Sequence, residues 1–178
     1  SRGLGDVYKR QGWNVLIDAI LELRLSGDFA GKRVLFVGYG EQAEMLNEKI
    51  NDLDLSDCCY YLGPKTHREL SELYNQADIM IFPTMLYESL GLVGIEAMAC
   101  GCPVIGSDIG CLPEYIKEGI TGFLFEPGNS HELAERIVDF YKLTEKQRNT
   151  MRLEAIRYVD KYESRKISQA LINKIKEI

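Results

Sequence analysis

Glu88 and Glu96 have seven residues between them, Gly91 and Gly94 among these. They follow an apolar run over residues 79–82 that reads as a buried strand, and residues 95–100, small and apolar, read as the start of a helix packed on a sheet. The turn between them therefore lies at the C-terminal end of a strand. In an open α/β sheet that edge binds ligands. Backbone N–H groups opening a helix there attract anions, and Gly91 and Gly94 let a phosphate approach the main chain.

The spacing restricts the chemistry. In a continuous helix the two carboxylates would be about 12 Å apart, at about 1.5 Å per residue, and a strand-to-helix turn keeps them well separated too. They do not read as a paired acid–base dyad. Each instead accepts hydrogen bonds from hydroxyls at a different point of one elongated ligand, with negative charge held between them at the helix N-terminus. A nucleotide sugar, with sugar, diphosphate and ribose in series, fits this pattern, and an acidic residue holds a ribose diol in the same way in dinucleotide folds. Taken alone, a loop Glu and a helix Glu are ordinary surface residues, and two glycines can serve a tight turn and close helix packing. The surrounding residues change that weighting.

The segment from Tyr87 to Pro103 continues through Val104-Ile105 to Ser107-Asp108-Ile109-Gly110 and Leu112-Pro113-Glu114. As a whole it resembles the donor-side signature of retaining glycosyltransferases of the GT-B fold, family 4 in particular. The resemblance runs from Gly12 to about Tyr162 and takes in Gly38-Tyr39-Gly40-Glu41, Leu62-Gly63, Gly122-Phe123-Leu124-Phe125 and Pro127-Gly128. It implies a Rossmann-like parallel sheet with helices on both faces, the C-terminal half of a GT-B fold. It also implies that Glu88 contacts the hydroxyls of the donor sugar, that the backbone of Leu90, Gly91, Leu92 and Val93 holds the diphosphate, and that Glu96 holds the ribose. Gly38 and Gly40 line the nucleotide cleft in this reading, and Lys65 lies near the base; a solvated loop lysine is the plainer explanation of Lys65. The donor is a UDP- or GDP-linked sugar, and no permanently bound cofactor is implied.

Residues 1–11, SRGLGDVYKRQ, resemble an in-frame translation of a sequencing-library adapter and are set aside as foreign, leaving residues 12–178 as the donor-binding domain. Family members carry a preceding acceptor-binding domain, a first donor-domain strand ending in a glycine–arginine turn, and a lysine just ahead of the Gly12 position. Gln11 stands where that lysine would be, so the cationic clamp on the diphosphate is left unassigned.

Setting the segment aside removes three of 21 basic residues (Arg2, Lys9, Arg10) and one of 27 acidic ones (Asp6), leaving 18 against 26 and a net charge of −8. An acidic domain of this kind is a poor nucleic-acid binder. No apolar run approaches the roughly 18 residues of a membrane span. The expectation is a soluble, cytoplasmic chain, with peripheral membrane association open to the full-length protein. The five cysteines are odd in number and include the adjacent pair Cys58-Cys59, which suits reduced thiols better than a disulfide framework. Cys100 and Cys102 are separated by a single residue and His67 and His131 begin separate helices, so no zinc spacing or nucleophile–histidine pair is visible and no metal is expected.

Five strands are predicted over residues 33–37, 58–62, 78–82, 103–106 and 122–125, alternating with helical patterns, which argues a parallel sheet covered on both faces. Helices are expected from Trp13 onward, over 41–53, from a Thr66–Glu69 capping box to Gln76, from a Ser130 cap to Leu143, over 145–159 and over 164–178. Gly38-Tyr39-Gly40 invites a competing assignment as a dinucleotide-binding fingerprint, and hence an oxidoreductase. Ala43 takes the place of the third glycine, which the relaxed pattern permits, but the acidic residue expected about twenty positions on is missing.

The sequence thus reads as the donor-binding half of a retaining hexosyltransferase acting on a glycan or lipid-linked acceptor, which would be held by the missing N-terminal domain. Two alternatives stand beside it: a nucleotide-binding fragment with no activity of its own, and a GT-B relative that hydrolyses or epimerises nucleotide sugars.

Overall fold

A computed structural model describes residues 12–40 and 42–160. The helix expected over 164–178 and the adapter-like residues 1–11 lie outside the described residues, as does Glu41. Helix α1, Trp13–Ser26, turns Val15, Leu16, Ile17, Ala19, Ile20 and Leu23 into the core and ends at Gly27. There follow β1 Val34–Phe36, α2 Ala43–Asp52, β2 Cys59–Tyr61, α3 His67–Gln76 and β3 Met80–Phe82. The chain continues through α4 Leu92–Ala99, β4 Val104–Ser107, α5 Leu112–Tyr115, β5 Gly122–Phe125, α6 Ser130–Lys142 and α7 Glu145–Val159.

The α/β alternation is as expected and every strand pair is parallel. Among the described residues, however, the strands fall into two sheets. β1 pairs with β2, Leu35 opposite Tyr60, and a separate sheet runs β3-β4-β5, with Ile81 opposite Ile105 and Ile105 opposite Phe123. Two cores flank these strands. One gathers α1, α2 and α6 with Ile105, Phe123 and Phe125. The other gathers α4, α5 and α7 with Val104, and Met80, Phe82 and Leu124 pack against it. The β3-β4-β5 sheet is thereby covered from both sides, whereas β1 and β2 meet only the first core and leave Leu35 46% and Tyr60 38% exposed.

Boundaries moved where local preference met a longer-range contact. The signature helix starts at Leu92 instead of 95, because Gly91 adopts a left-handed conformation (φ 58°) and serves as its N-cap. Asn129, not Ser130, caps α6: its backbone is extended and its side chain accepts from the Glu132 N–H, which makes Ser130 the first helical residue. The Thr66–Glu69 capping box forms as expected, and a second, Thr144 with Gln147, opens α7. The one-turn helix α5 was not expected; Leu112 and Tyr115 hold it by being fully buried.

Helices α1 and α6 are clamped at the surface by His131, whose Nδ1 lies 2.6 Å from a Glu22 carboxylate oxygen, with Glu135 3.8 Å from Nε2. The hydrogen bond to Glu22, then the charges of Glu22 and Glu135, raise the imidazole pKa above 6.5. A histidine whose pKa is raised by folding adds stability that is fully present below the unfolded value and is lost as pH rises through the folded one. The urea-midpoint difference between wild type and His131→Gln should therefore be largest at about pH 5.5 and vanish by about pH 8.5. A difference that stayed constant across that range would show that the clamp is not ionic.

Candidate functional site

Parallel pairing brings the C-terminal ends of β3, β4 and β5 to one edge, where the loops after Phe82, Ser107 and Phe125 gather. The β3–α4 loop carries Glu88, Leu90 and Gly91, and α4 opens directly from it. No side chain caps α4 and no acidic residue sits in its first turn. The Gly94 N–H is satisfied by the Gly91 carbonyl at 2.9 Å, whereas the N–H groups of Leu92 and Val93 have no partner among the described residues. Their side chains are exposed, Leu92 at 57% and Val93 at 41%. An uncapped, open helix N-terminus of this kind offers donors and positive dipole to an anion.

Tyr115 holds this end in place from below. Its ring is 1% exposed, and its hydroxyl donates to the Gly91 carbonyl at 3.2 Å. A Cβ at Gly94 would come within 2.5 Å of that hydroxyl, so the helix lies on the tyrosine at a distance only glycine allows. Tyr115 is anchored in turn by the buried Thr121, whose hydroxyl donates to the Tyr115 carbonyl at 2.9 Å.

Glu88 is positioned through its backbone. The Cys111 N–H donates to its carbonyl at 3.0 Å, and Gly110 (φ 62°) packs so closely that a Cβ there would stand 2.5 Å from the same oxygen. The carboxylate makes no hydrogen bond or ion pair with any described residue. It is nonetheless close enough to Cys111 to help raise that thiol's pKa, behind burial and Glu114. Glu96 is likewise unengaged and half-buried on α4. It lies toward α3, where Tyr74 is pushed up to about 12, chiefly by burial and next by the Glu96 charge. The two carboxylates thus face different neighbours, Glu88 from the loop ahead of α4 and Glu96 from within the helix, with no hydrogen-bond or ion-pair partner among the described residues.

The Gly38-Tyr39-Gly40 turn lines a hollow of about 120 Å³ with Trp13, Gln42 and Tyr61. The Tyr61 hydroxyl donates to the Gly38 carbonyl at 2.9 Å, and the Trp13 indole N–H donates to Gln42 at 2.5 Å. This turn and the β3 loop meet through the start of α1: Gly12 abuts the Pro83 carbonyl so tightly that a Cβ would lie 1.7 Å from its oxygen. Neither this hollow nor a second one of about 330 Å³ between α1 and α6 has Glu88 or Glu96 in its walls. Lys65 remains at the exit of β2, its ammonium donating to the Leu62 carbonyl at 2.9 Å. Among the described residues no group of three or more His, Cys, Asp or Glu could hold a metal ion, and no helix is long and apolar enough to cross a membrane.

Sequence reasoning named the turn but missed its supports. Tyr115 lay outside every motif considered, Gly110 was read only as part of one, and Trp13 only as a core residue. The one available signal was a buried aromatic on a short segment following a glycine-rich turn, and pairing it with Gly91 and Gly94 requires the fold.

Relatives are similar over the same region. The chain is 35% identical over 117 residues to N-acetyl-alpha-D-glucosaminyl L-malate synthase of Bacillus anthracis, which covers 66% of this chain and 30% of the relative. It is 31% identical over 131 residues to the amylovoran biosynthesis glycosyltransferase AmsK of Erwinia amylovora, covering 71% of this chain and 32% of that one. Among solved structures it is similar to HepE of Anabaena in complex with UDP, with a TM-score of 0.83 at 25% identity, over 97% of this chain and 47% of HepE. The chain therefore spans about a third of the length of these curated relatives and about half of HepE.

The glycine contacts make a graded prediction. Gly110→Ala, which combines a left-handed φ with a backbone clash, and Gly94→Ala, which clashes with Tyr115, should each destabilise by about 1–3 kcal/mol. Gly40→Ala, with no atom near its Cβ position, should change stability by less than about 0.5 kcal/mol. Urea denaturation of the three variants provides the check, and equal costs at all three positions would contradict the packing described.

Residues 4–157 match the family described as glycosyl transferases group 1, in agreement with the parallel α/β fold it shares with GT-B glycosyltransferases. The chain belongs to that family.

Proposed function

We propose that this chain is the donor-binding half of a retaining hexosyltransferase, and that the complete protein moves a hexose from a nucleoside diphosphate sugar to a hydroxyl of a glycan or lipid-linked acceptor. The observation that carries the proposal is the open N-terminus of α4, preceded in the chain by Glu88 and followed by Glu96, neither carboxylate having a partner among the described residues. In this reading Glu88 accepts hydrogen bonds from the sugar hydroxyls, the amides from Leu90 to Val93 cradle the diphosphate, and Glu96 accepts from the ribose. Gly38 and Gly40 border the nucleotide, with Lys65 near the base. HepE, solved with UDP and with UDP-glucose, makes UDP the first nucleotide to try.

The α4 N-terminus would act on the leaving group, stabilising the diphosphate as negative charge builds on it. Substitution would proceed on one face of the sugar, with the departing phosphate taking the proton of the acceptor hydroxyl. Such a route needs no strong enzymic base. That accords with two carboxylates facing different neighbours instead of each other. Residues 12–178 form the donor domain in this proposal, residues 1–11 are foreign, and the acceptor is held by a further domain of a cytoplasmic protein.

Calorimetric titration with UDP, GDP and ADP tests the ribose assignment. Glu96→Ala should weaken the preferred nucleotide by about 1.5–3 kcal/mol, the loss of a charged hydrogen-bond partner. Unchanged affinity for all three nucleotides would remove Glu96 from the site. The chain alone should bind nucleotide weakly and show no turnover. With the complete protein, product analysis should give a glycoside that keeps the donor's anomeric configuration; free sugar or an epimerised nucleotide sugar would favour the hydrolase or epimerase alternatives.

A further inference from the structure

Neighbouring residues on a strand send their side chains to opposite faces. Cys58, just ahead of β2, and Cys59, its first residue, instead bring their Sγ atoms to 4.0 Å of each other. The chain between α2 and β2 makes this possible. Asp54 takes a left-handed backbone (φ 54°), rare for a residue with a side chain, and the Leu55 carbonyl that follows accepts from both the Cys58 N–H at 3.1 Å and the Cys59 N–H at 2.9 Å. Two successive residues are thus curled round one oxygen, and their thiols land on the same side. The Cys58 Sγ leans on that same carbonyl at 3.5 Å. Both cysteines are free thiols.

The two differ in their surroundings. Cys59 is 4% exposed and its thiol is pushed up to about 12, first by burial and next by Cys58, so it stays protonated and does not begin a reaction. Cys58 lies nearer the surface. Arg24 Nη1 donates to its sulfur at 3.7 Å, and the same guanidinium pairs with Asp57 outside it. That ion pair is the outer cover of Cys58, with 36% of the Arg24 side chain and 67% of the Asp57 side chain exposed. An exposed ion pair contributes little to stability, so its opening costs little and uncovers the sulfur.

We propose that Cys58 and Cys59 are a reversible oxidation site, closing to a disulfide between neighbouring residues when a hydroperoxide reaches Cys58. The Cys58 sulfur attacks the peroxide, the O–O bond breaks, and a sulfenic acid forms with release of water. The Cys59 sulfur then attacks the sulfenyl sulfur, and its proton leaves with the hydroxide as a second water. The peroxide is reduced by two electrons and the thiol pair loses two. To bond, the sulfurs close from 4.0 Å to about 2.05 Å. The Cα atoms are held at about 3.8 Å by the peptide between them, below the usual disulfide range of about 4.4–6.8 Å. The ring is therefore strained and open to reduction by small thiols. Its closure twists the Cys58–Cys59 peptide, whose carbonyl takes the Val34 N–H at 2.8 Å, so the start of the β1–β2 pairing loosens on oxidation.

The intact chain is treated with hydrogen peroxide, remaining thiols are alkylated, and the peptide carrying both residues is weighed. It should have lost two hydrogens and taken up no alkyl group, leaving three of the five cysteines to react, and a small monothiol should restore the pair. Amide exchange at Val34 should quicken by about tenfold or more on oxidation. In Cys59→Ser the Cys58 sulfenic acid has no neighbouring thiol, and a cyclic 1,3-diketone should trap it. Should that variant fail to fold, a monoaryl trivalent arsenical, which bridges paired thiols, added to the unaltered chain should shield both cysteines from alkylation. Alkylation of both residues after peroxide, oxidation confined to Cys100, Cys102 and Cys111, or a bond joining two copies of the chain would overturn the proposal. Nucleotide plays no part in the readout, so the outcome is independent of the donor-site proposal.

Discussion

The N-terminal end of α4 rests on the hydroxyl of one buried tyrosine, and the rest of the candidate site depends on that contact. Tyr115 can lie under Gly91 and Gly94 only because neither has a side chain, and its hydroxyl takes up the Gly91 carbonyl that the left-handed turn directs inward. The geometry that consumes this carbonyl leaves the amides of the first helical turn facing outward. Buried carbonyls are satisfied while exposed donors stay free, which is the asymmetry an anion site requires.

Around this contact the fold divides the work between its two cores. The core of α4, α5 and α7 carries Tyr115, Leu112 and Ile116 and sets the height of the helix N-terminus above the sheet. The core of α1, α2 and α6 holds the Gly38–Gly40 turn through Trp13 and reaches the signature loop where Gly12 meets Pro83. The loops at the C-terminal edge of the strands are therefore positioned from opposite faces. Their apolar residues Tyr87 and Leu90 stay 80% and 45% exposed.

Much of this was legible in the order of residues. Apolar runs placed the five strands to within a residue or two at their ends, and the Thr66–Glu69 pair placed the start of α3, because strand burial and capping boxes are local properties. The glycine-bearing turn was recognisable for the same reason, as a strand exit followed by small residues. The first turn of α4 was not, since Leu92 and Val93 become helical only once Gly91 is held left-handed by a residue 24 positions away. Ser130 looked like a cap by type, but Asn129 has the extended backbone a cap needs. That backbone is set by how the chain leaves β5.

By itself the sequence determined the α/β alternation, the parallel direction of the strands and the location of the signature turn at a strand's C-terminal end, since periodicity and turn chemistry act over a few residues. Tertiary structure decided which faces of that turn are free. Gly110 against Glu88 and Tyr115 under Gly94 both join segments distant in the chain, and packing of that kind has no signature in any short stretch of residues.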